Sequence, residues 1–547
     1  MATIREWRNS FVPINRVPLD ILSLIPTYLS DQEDRFHASF VCRHWRRTFL
    51  QRAELWSQLV LSKGRVYTET LLGRARGSAL DVVLDLNLPT KRMALVSPHT
   101  RQIRSLSLSN YGWERVQKFS EAVSGPLPLL HTLKIISTVE DRPVRLDTGA
   151  PPCPTFFNSA VNLRTFYYHS SSSRSQYLRC FLFPNITSFD FSAETFEELP
   201  ASQLLDFLEA SPVLQTVRMR IAGGMLFDGI PQERVVVLPR VETFTLCIGE
   251  GNPYYRLAAH VSCPSAKRTS LAHEGDVNQG IPGETFPGPV VWRTIVHQYT
   301  GNPAEEVTLE MNRFIGVACK LTFRSPDATG IDLYFKAKID EEDEENEEWD
   351  QPSVAVHHRV FTQAIDTIRN YQHLAHVKRV RICHDFEYIG FTFAHSIAAD
   401  IGRLLKSVGP LDELCIYHCD IQPYFYLFLD FPEGYLEEPI VFPPIKELTV
   451  MHQPEFLSDG ECTTAIAGFA KSQHARGNPL ERVIICGECM PGGMEEELRP
   501  WVGGVGYFGI KNCEGQLVIE ESEDAPRVGG NWCACLHAYK SSRAHVQ

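Results

Sequence analysis

The stretch VPLDILSLIPTYLSDQEDRFHASFVCRHWRRTFLQRAELWSQLVL, residues 17–61, carries the strongest structural signal in this chain. Its first apolar group recurs at the spacing of one helical face and predicts an amphipathic helix containing Ile21, Leu22, Ile25 and Leu29. The same spacing predicts a later helix with Val41, Cys42, Trp45 and Phe49. A bundle this small cannot bury all of these side chains, because small domains bury a low fraction of their surface. We therefore predict a binding module whose surplus apolar face is covered by a partner.

The same residues resemble the F-box, the three-helix motif that attaches a substrate receptor to the Skp-type adaptor of a cullin-RING ubiquitin ligase. The resemblance rests on Val17-Pro18, on Asp20-Ile21-Leu22, on VCRHWR from Val41, and on Leu55-Trp56. It implies the adaptor and a cullin as partners. It also implies that the adaptor-binding residues are Pro18, Leu19, Ile21, Leu22, Ile25, Leu29, Val41, Cys42, Trp45 and Trp56.

Two further features bear on this resemblance. Residues 71–86, LLGRARGSALDVVLDL, resemble the segment that follows the F-box in many large fungal F-box proteins. Pro26 departs from the pattern, because proline removes a backbone donor and clashes with the preceding helical turn. We therefore expect the first helix to kink or end early.

Composition and charge restrict the class of protein. The chain has 547 residues, 44% of them hydrophobic and 22% charged, as is ordinary for a soluble protein. Its net charge of −13 is uneven: residues 1–80 carry 12 basic and 7 acidic side chains, whereas residues 81–547 carry 41 and 59. Because phosphate binding needs a positive footprint, we expect no nucleic-acid partner. An acidic body is compatible with basic protein clients.

The sequence also favours an intracellular location. No run approaches 18 consecutive apolar residues, and the N-terminal stretch lacks the apolar core of a secretory signal. The 15 cysteines show no disulfide framework, which fits a reducing compartment. We therefore expect no membrane partner and a cytoplasmic or nuclear protein.

Beyond the F-box, an apolar-x-x-apolar-x-apolar triplet recurs in two sets, one up to Val241 and one from Val377, at intervals of 23–35 residues within each set. Its members begin at Ile103, Leu130, Leu163, Ile186, Leu214, Val241, Val377, Leu411, Ile445 and Leu480. Residues 203–208 and 361–374 are predicted to be helices between such strands. The rhythm resembles an irregular leucine-rich-repeat solenoid, in which stacked units share one core. A non-repetitive α/β domain is the alternative.

The predicted fold class is therefore α/β: a three-helix F-box followed by an irregular, horseshoe-like repeat solenoid. Alternation along each strand should bury the middle triplet residues Leu106, Leu133, Val217, Leu448 and Val483. It should expose the following residues Ser107, Lys134, Arg218 and Thr449. The predicted domains are a tail (1–12), the F-box (13–62), the solenoid (63–490) and a C-terminal cap or tail (491–547).

Residues 250–376 interrupt the repeat. Short apolar runs at 307–311, 321–323 and 331–335 predict strands there. The segment DEEDEENEEWD, residues 340–350, has nine acidic residues in eleven and is predicted to be a solvated insertion. The alternative is that this segment attracts a basic client.

The remaining motifs do not form a catalytic or metal site. Cys486 and Cys489, together with Cys533, Cys535 and His537, have donor types that suit zinc, but lack a compact spacing. The glycines of residues 503–509 lack the GK[ST] of a phosphate loop, and the histidine pairs at 357–358 and 373/376 lack further ligands. We predict no cofactor, no metal and no enzymatic activity.

The interpretation that follows is a substrate-recognition subunit of an SCF-type cullin-RING ligase, with an unidentified protein client on the solenoid. Exposed aromatic side chains are candidate client anchors, since aromatics are enriched at binding hot spots; these are Trp113, Tyr167, Tyr168 and Tyr417. Two alternatives stay open at this point: an F-box scaffold acting outside a ubiquitin ligase, and a zinc-binding protein or hydrolase whose site the sequence hides.

Overall fold

The computed structural model forms two compact units, Met1–Val241 and Glu242–Gln547. It describes residues 11–13, 17–29, 32–85, 88–109, 119, 121–123, 125–137, 159–170, 181, 183–193, 199–222, 225–227, 229–231, 233–248, 254–276, 304–312, 317–325, 330–338, 361–362, 364–366, 368–369, 374–385, 391–418, 442–452, 459–487, 493–513 and 516–521. The acidic segment 340–350 lies outside these residues.

The first unit begins with helices. They are α1 (Leu19–Tyr28), α2 (Gln32–Phe40), α3 (Arg43–Gln51), a 3₁₀ turn (Ala53–Trp56) and α4 (Arg65–Ala75). The sequence predicts a kink or an early end near Pro26; helix α1 continues past this proline and ends two residues later, at Tyr28. Pro26 lies in the last turn, where its missing donor interrupts few of the helical hydrogen bonds.

A parallel sheet follows. Its strands are β1 (Gln58–Val60), β2 (Leu80–Asp85), β3 (Ile103–Ser109), β4 (Thr132–Ser137), β5 (Thr165–Ser170), β6 (Ser188–Ala193) and β8 (Thr216–Ile221). Shorter elements are α5 (Thr90–Met93), β7 (Leu199–Pro200), α6 (Ala201–Glu209), β9 (Met225–Leu226) and β10 (Val236–Val237). Each of the seven longer strands pairs in parallel with the next, and β1 joins the helices directly to this sheet.

One face of this sheet forms the core of the first unit. The middle residues of the triplets stand in one register row, Leu106–Leu133–Phe166–Phe189–Val217, and all are fully buried. Phe207 of α6 packs against Phe189 with 4.3 Å between ring centroids. The inward orientation predicted for Leu106, Leu133 and Val217 is thus confirmed, and α6 contains the predicted helix 203–208.

The opposite face of the same sheet is polar. Its central register row is Ser107–Lys134–Tyr167–Asp190–Arg218, in which Lys134 and Arg218 are exposed and the other three are half-buried. We call the side of strands β3 to β8 that carries this row the open face. The predicted outward orientation of Ser107, Lys134 and Arg218 agrees with it, because strand side chains alternate between faces.

The second unit contains a longer set of strands and helices. They are β11 (Thr243–Ile248), α7 (Tyr254–Ala259), β12 (Val261–Ser262), β13 (Arg268–Asp276), β14 (Glu306–Asn312), β15 (Val317–Arg324), β16 (Gly330–Lys338), β17 (Arg379–Asp385), α8 (Phe391–Ser407), β18 (Leu411–His418), β19 (Ile445–His452), α9 (Asp459–Ala475), β20 (Arg482–Gly487), α10 (Met494–Leu498), β21 (Val505–Cys513) and β22 (Gln516–Glu521).

Most of these strands pair in parallel, in the order β14–β17–β18–β19–β20–β21. The buried row Val380–Leu414–Leu448–Val483 continues the triplet pattern here. Strands β14, β15 and β16 contain the three runs predicted as strands, but β15 is antiparallel to both neighbours. Strand β15 therefore departs from the parallel order of the other strands, since the short connections on either side of it allow only antiparallel pairing.

The second face of the second-unit sheet differs from the open face. Cys415, Thr449 and Ile484 share one register row, and each is fully buried. We call these three residues the covered row. The predicted exposure of Thr449 is therefore wrong, because the sheet is buried on both faces at this position and alternation no longer separates core from solvent.

Candidate functional site

Helix α1 is apolar on two sides. Leu22 is fully buried and Ile25 is half-buried, whereas Ile21 and Leu24 are 49% and 46% exposed and Tyr28 is 84% exposed. The exposed residues follow the spacing i, i+3, i+7, which places them along one stripe of the helix. Ile21 and Leu22, which the sequence pattern places on one helical face, thus differ in exposure, because adjacent helical positions are about 100° apart.

The junction of α2 and α3 exposes two more apolar side chains. Phe40 is 59% exposed and Val41 is 62% exposed. Cys42 is the N-cap residue of α3, in an extended conformation, and its carbonyl accepts a hydrogen bond from the amide of Arg46 at 3.0 Å. The guanidinium of Arg46 lies 5.1 Å from the centroid of the Phe40 ring. The junction therefore presents apolar groups beside a positive charge.

Trp56 and Phe49 form the buried core against which the helices pack. Both are fully buried, and the indole Nε1 of Trp56 donates a 3.0 Å hydrogen bond to the carbonyl of Phe49. Phe36 meets the Trp56 ring edge-on at 5.2 Å, a favoured aromatic geometry. Trp45 is only half-buried and contacts Phe49 at 5.6 Å. Trp56, rather than Trp45, is therefore the central core residue of this segment.

Arginine side chains connect the helices to the following chain. Arg35 donates to the carbonyl of Leu29 at 2.9 Å, and Arg52 donates to Ser23 Oγ at 3.0 Å. From α4, the guanidinium of Arg74 lies 4.6 Å from the Trp56 ring centroid. Burial and the nearby charge of Arg46 lower the pKa of Arg74. These contacts fix the orientation of α1 and α4 relative to the Trp56 core.

The ten residues assigned to adaptor binding lie in different environments. The exposed residues are Pro18, Ile21 and Val41, and the half-buried residues are Ile25, Leu29, Cys42 and Trp45. Leu22 and Trp56 are buried. The side chain of Leu19 is not among the described ones. The exposed and half-buried residues are available to a partner, whereas Leu22 and Trp56 support the fold. Leu24, Tyr28 and Phe40 are exposed apolar residues absent from the predicted set. The i, i+3, i+7 spacing of Ile21, Leu24 and Tyr28 is the signal that identifies two of them.

Among the described residues, the other motifs singled out in the sequence form no competing site. Within the described part of the chain, no group of three or more His, Cys, Asp and Glu side chains is placed to hold a metal ion. Cys489, Cys533, Cys535 and His537 lie outside the described residues, as do His357, His358 and His373. Gly503 lies against the carbonyl of Glu481, where a Cβ would stand 2.7 Å away, and strand β21 begins two residues later. Gly503 thus belongs to a close backbone approach.

The aromatic residues considered as client anchors also divide. Tyr168 is fully buried in the first-unit core, and Tyr167 is half-buried on the open face. Trp113 and the side chain of Tyr417 lie outside the description. Among the described helices, none is long and apolar enough to cross a membrane.

Comparison with known families identifies a match within the helical segment. Residues 14–62 match the model of the F-box-like family. A search of curated proteins with the whole chain finds no match. The chain therefore contains an F-box-like domain in a mixed α/β protein, which indicates a role as an adaptor or substrate receptor of a ubiquitin ligase. Proteins with this domain are typically non-enzymatic and typically bind Skp-type adaptors.

Proposed function

We propose that this protein is the substrate-recognition subunit of an SCF-type cullin-RING ubiquitin ligase. The observation that carries the proposal is the set of exposed apolar residues within the F-box-like match, Ile21, Leu24, Tyr28, Phe40 and Val41. Apolar side chains exposed together on one small segment mark a protein interface, because isolated domains rarely leave such surface in water. The partner proposed for this surface is the Skp-type adaptor, which in turn binds a cullin.

In this proposal the two units present a protein client. Strand β1 pairs with β2 in register from Gln58–Asp81 to Val60–Val83, directly after the helical domain. This pairing leaves few free dihedrals between adaptor-binding helices and sheet. A client bound to the sheet would be held near the ligase in a restricted orientation, and proximity of that kind accelerates transfer chemistry. The ubiquitin transfer itself would be performed by other subunits, in the cytoplasm or nucleus.

The parallel ladders support the leucine-rich-repeat-like solenoid over residues 63–490 as part of the same proposal. Each triplet places its middle residue in register with that of the neighbouring strand, as Leu106 with Leu133 and Leu448 with Val483. Repeats that share a core in this way can extend a binding surface over many strands.

The test is affinity purification of the full chain from cells under proteasome inhibition. The wild-type chain should recover both adaptor and cullin, and the double variant Ile21→Asp/Val41→Asp should recover neither while remaining folded. The expected clients are proteins that bind both chains and that, without the inhibitor, accumulate in cells carrying the variant. Recovery of adaptor without cullin by the wild-type chain would favour the scaffold alternative. Undiminished adaptor recovery by the double variant would refute the docking surface.

A further inference from the structure

The open face of the first unit carries more basic than acidic side chains. From β4 to β8 its charged residues are Lys134, Asp190, Arg218 and Arg220, three basic and one acidic. Over residues 81–241, the first-unit chain beyond the helices, the charges nearly balance, with 16 basic and 15 acidic residues. A local excess of positive charge attracts ligands that carry negative charge.

The register fixes the spacing of these charges. Lys134 on β4 and Arg218 on β8 occupy the same row, separated by Tyr167 on β5 and Asp190 on β6. Three steps between neighbouring strands span about 14 Å. Four residues of an extended peptide also span about 14 Å, at roughly 3.4 Å each. A peptide crossing the strands can therefore place one acidic side chain at Lys134 and another, four residues away, at Arg218.

Between these two charges the row offers other contacts. The rings of Tyr167 and His169 stack with 6.5 Å between centroids and 15° between planes. They form an aromatic pair against which a peptide side chain can pack. The preceding row across the same five strands consists of hydroxyl side chains, Ser105–Thr132–Thr165–Ser188–Thr216. Hydroxyls both donate and accept hydrogen bonds, so they can satisfy the backbone of an extended ligand.

Asp190 determines which ligand charge is favoured at the centre of the row. It stands between Tyr167 and Arg218, and its charge interacts with both Arg218 and His169. Burial raises the pKa of the Asp190 carboxyl. A ligand with negative charge at every position would be repelled here, whereas separated carboxylates would meet Lys134 and the arginines. The arrangement therefore suits spaced acidic residues rather than a continuous polyanion.

We propose that the open face binds an extended protein segment with two acidic side chains about four residues apart, one at Lys134 and one at Arg218 and Arg220. This inference rests on the proposed function, since it names the class of client segment that the ligase would recognise. It also reverses the sequence-based expectation of basic clients, because the accessible row is locally positive although the chain is acidic.

The test uses the full chain and a random 12-residue peptide library displayed on phage. Wild-type protein should enrich peptides with Asp or Glu at positions four apart, and Lys134→Glu/Arg218→Glu should abolish that enrichment. The matched control is Lys91→Glu/Arg240→Glu, which makes the same change in net charge at two other exposed first-unit residues. The control should enrich the same peptides as wild type.

The best peptide is then measured by fluorescence anisotropy. The double variant and the Glu→Gln peptide should each raise Kd at least tenfold. Enrichment without spaced acidic residues, or acidic peptides that still bind Lys134→Glu/Arg218→Glu, would overturn the proposal. Binding only by a phosphoserine version, or tighter binding of a 12-nucleotide single-stranded RNA to the same face, would also overturn it by assigning the face to another ligand.

Adaptor binding is measured on the same preparations. Both charge-reversal variants should bind the adaptor as wild type does, which shows that they are folded. If the wild-type chain does not bind the adaptor, the proposed function is refuted. Peptide binding is measured separately, so its outcome is distinguishable from that of the adaptor measurement.

Discussion

The first and second units share a strand rhythm but differ on the second face of their sheets. In the first unit this face carries Lys134, Tyr167 and Arg218, which are exposed or half-buried. In the second unit the corresponding position is the covered row, in which Cys415 and Thr449 are fully buried. The buried core face is alike in the two units. The difference shows that the repeated triplet sets the strands, whereas the residues between triplet positions determine which surface stays free to bind.

The largest expected effect comes from placing a charge in the covered row. Thr449→Asp should lower the free energy of unfolding by about 3 kcal/mol or more, because the carboxylate would be buried without a partner. Ser107→Asp, on the open face, should change it by less than about 0.5 kcal/mol. Urea unfolding of both full-length variants measures the difference. Equal effects would mean that the two faces do not differ in burial.

A smaller loss of stability is expected from removing an arginine that pairs with two carboxylates in the second unit. Arg381 lies 3.5 Å from Glu306 and 3.3 Å from Glu413, and both carboxylates are largely buried. Arg381→Met should cost about 2 kcal/mol, because it leaves two neighbouring carboxylates without this partner. Arg218→Met, on the open face, should be nearly neutral. An unfolding free energy unchanged by Arg381→Met would mean that the ion pairs with Glu306 and Glu413 do not stabilise the protein.

At Thr449, a different substitution is expected to raise the free energy of unfolding instead of lowering it. No residue in the described part of the chain hydrogen-bonds to Oγ1 of Thr449. Thr449→Val keeps the shape and removes the unsatisfied hydroxyl, so it should stabilise the protein by about 1 kcal/mol. Thr132→Val on the open face should change stability little. Thermal unfolding of the pair compares them, and destabilisation by Thr449→Val would reveal a hydrogen bond to this hydroxyl.

The smallest effect is a pH dependence on the open face. Burial raises the pKa of Asp190, and the charges of Arg218 and His169 oppose this only in part. A carboxyl whose pKa is raised by folding opposes folding when ionised, and that cost disappears as pH falls through the raised pKa. Asp190→Asn should therefore be slightly more stable than wild type at neutral pH, and the difference should shrink on acidification. A wild type more stable than the variant at neutral pH would show that the ion pairing dominates.

The sequence was informative about strands and less so about faces. Ten triplets predict ten strands because apolar side chains at alternating positions can only be buried together on one side. Ser107 and Thr449 follow the same pattern in sequence, yet one is half-buried and the other is fully buried. The triplet contains no information on what packs against the second face. The antiparallel direction of β15 likewise depends on connections rather than on the strand residues themselves.

The helical domain shows the same limit. Its motif predicts three helices and their apolar residues, and the match at 14–62 agrees. The motif does not separate Ile21, which is exposed, from Leu22, which is buried, because both are apolar and adjacent. Trp45 and Trp56 are equally prominent in the sequence, but only Trp56 is fully enclosed. Which apolar residues remain for a partner is determined by tertiary packing.

The central claim is that the exposed apolar residues of the F-box-like domain bind a Skp-type adaptor. The most direct test is isothermal calorimetry of purified adaptor with the wild-type chain, with Ile21→Asp/Val41→Asp, and with Val66→Asp. Val66 is the matched control because it is 77% exposed and apolar but lies outside the matched residues 14–62. We expect the double variant to weaken binding by about 2 kcal/mol or more, about 30-fold in Kd, because carboxylates would be buried at the interface. Val66→Asp should bind as wild type does. Equal affinity of all three chains would contradict the claim.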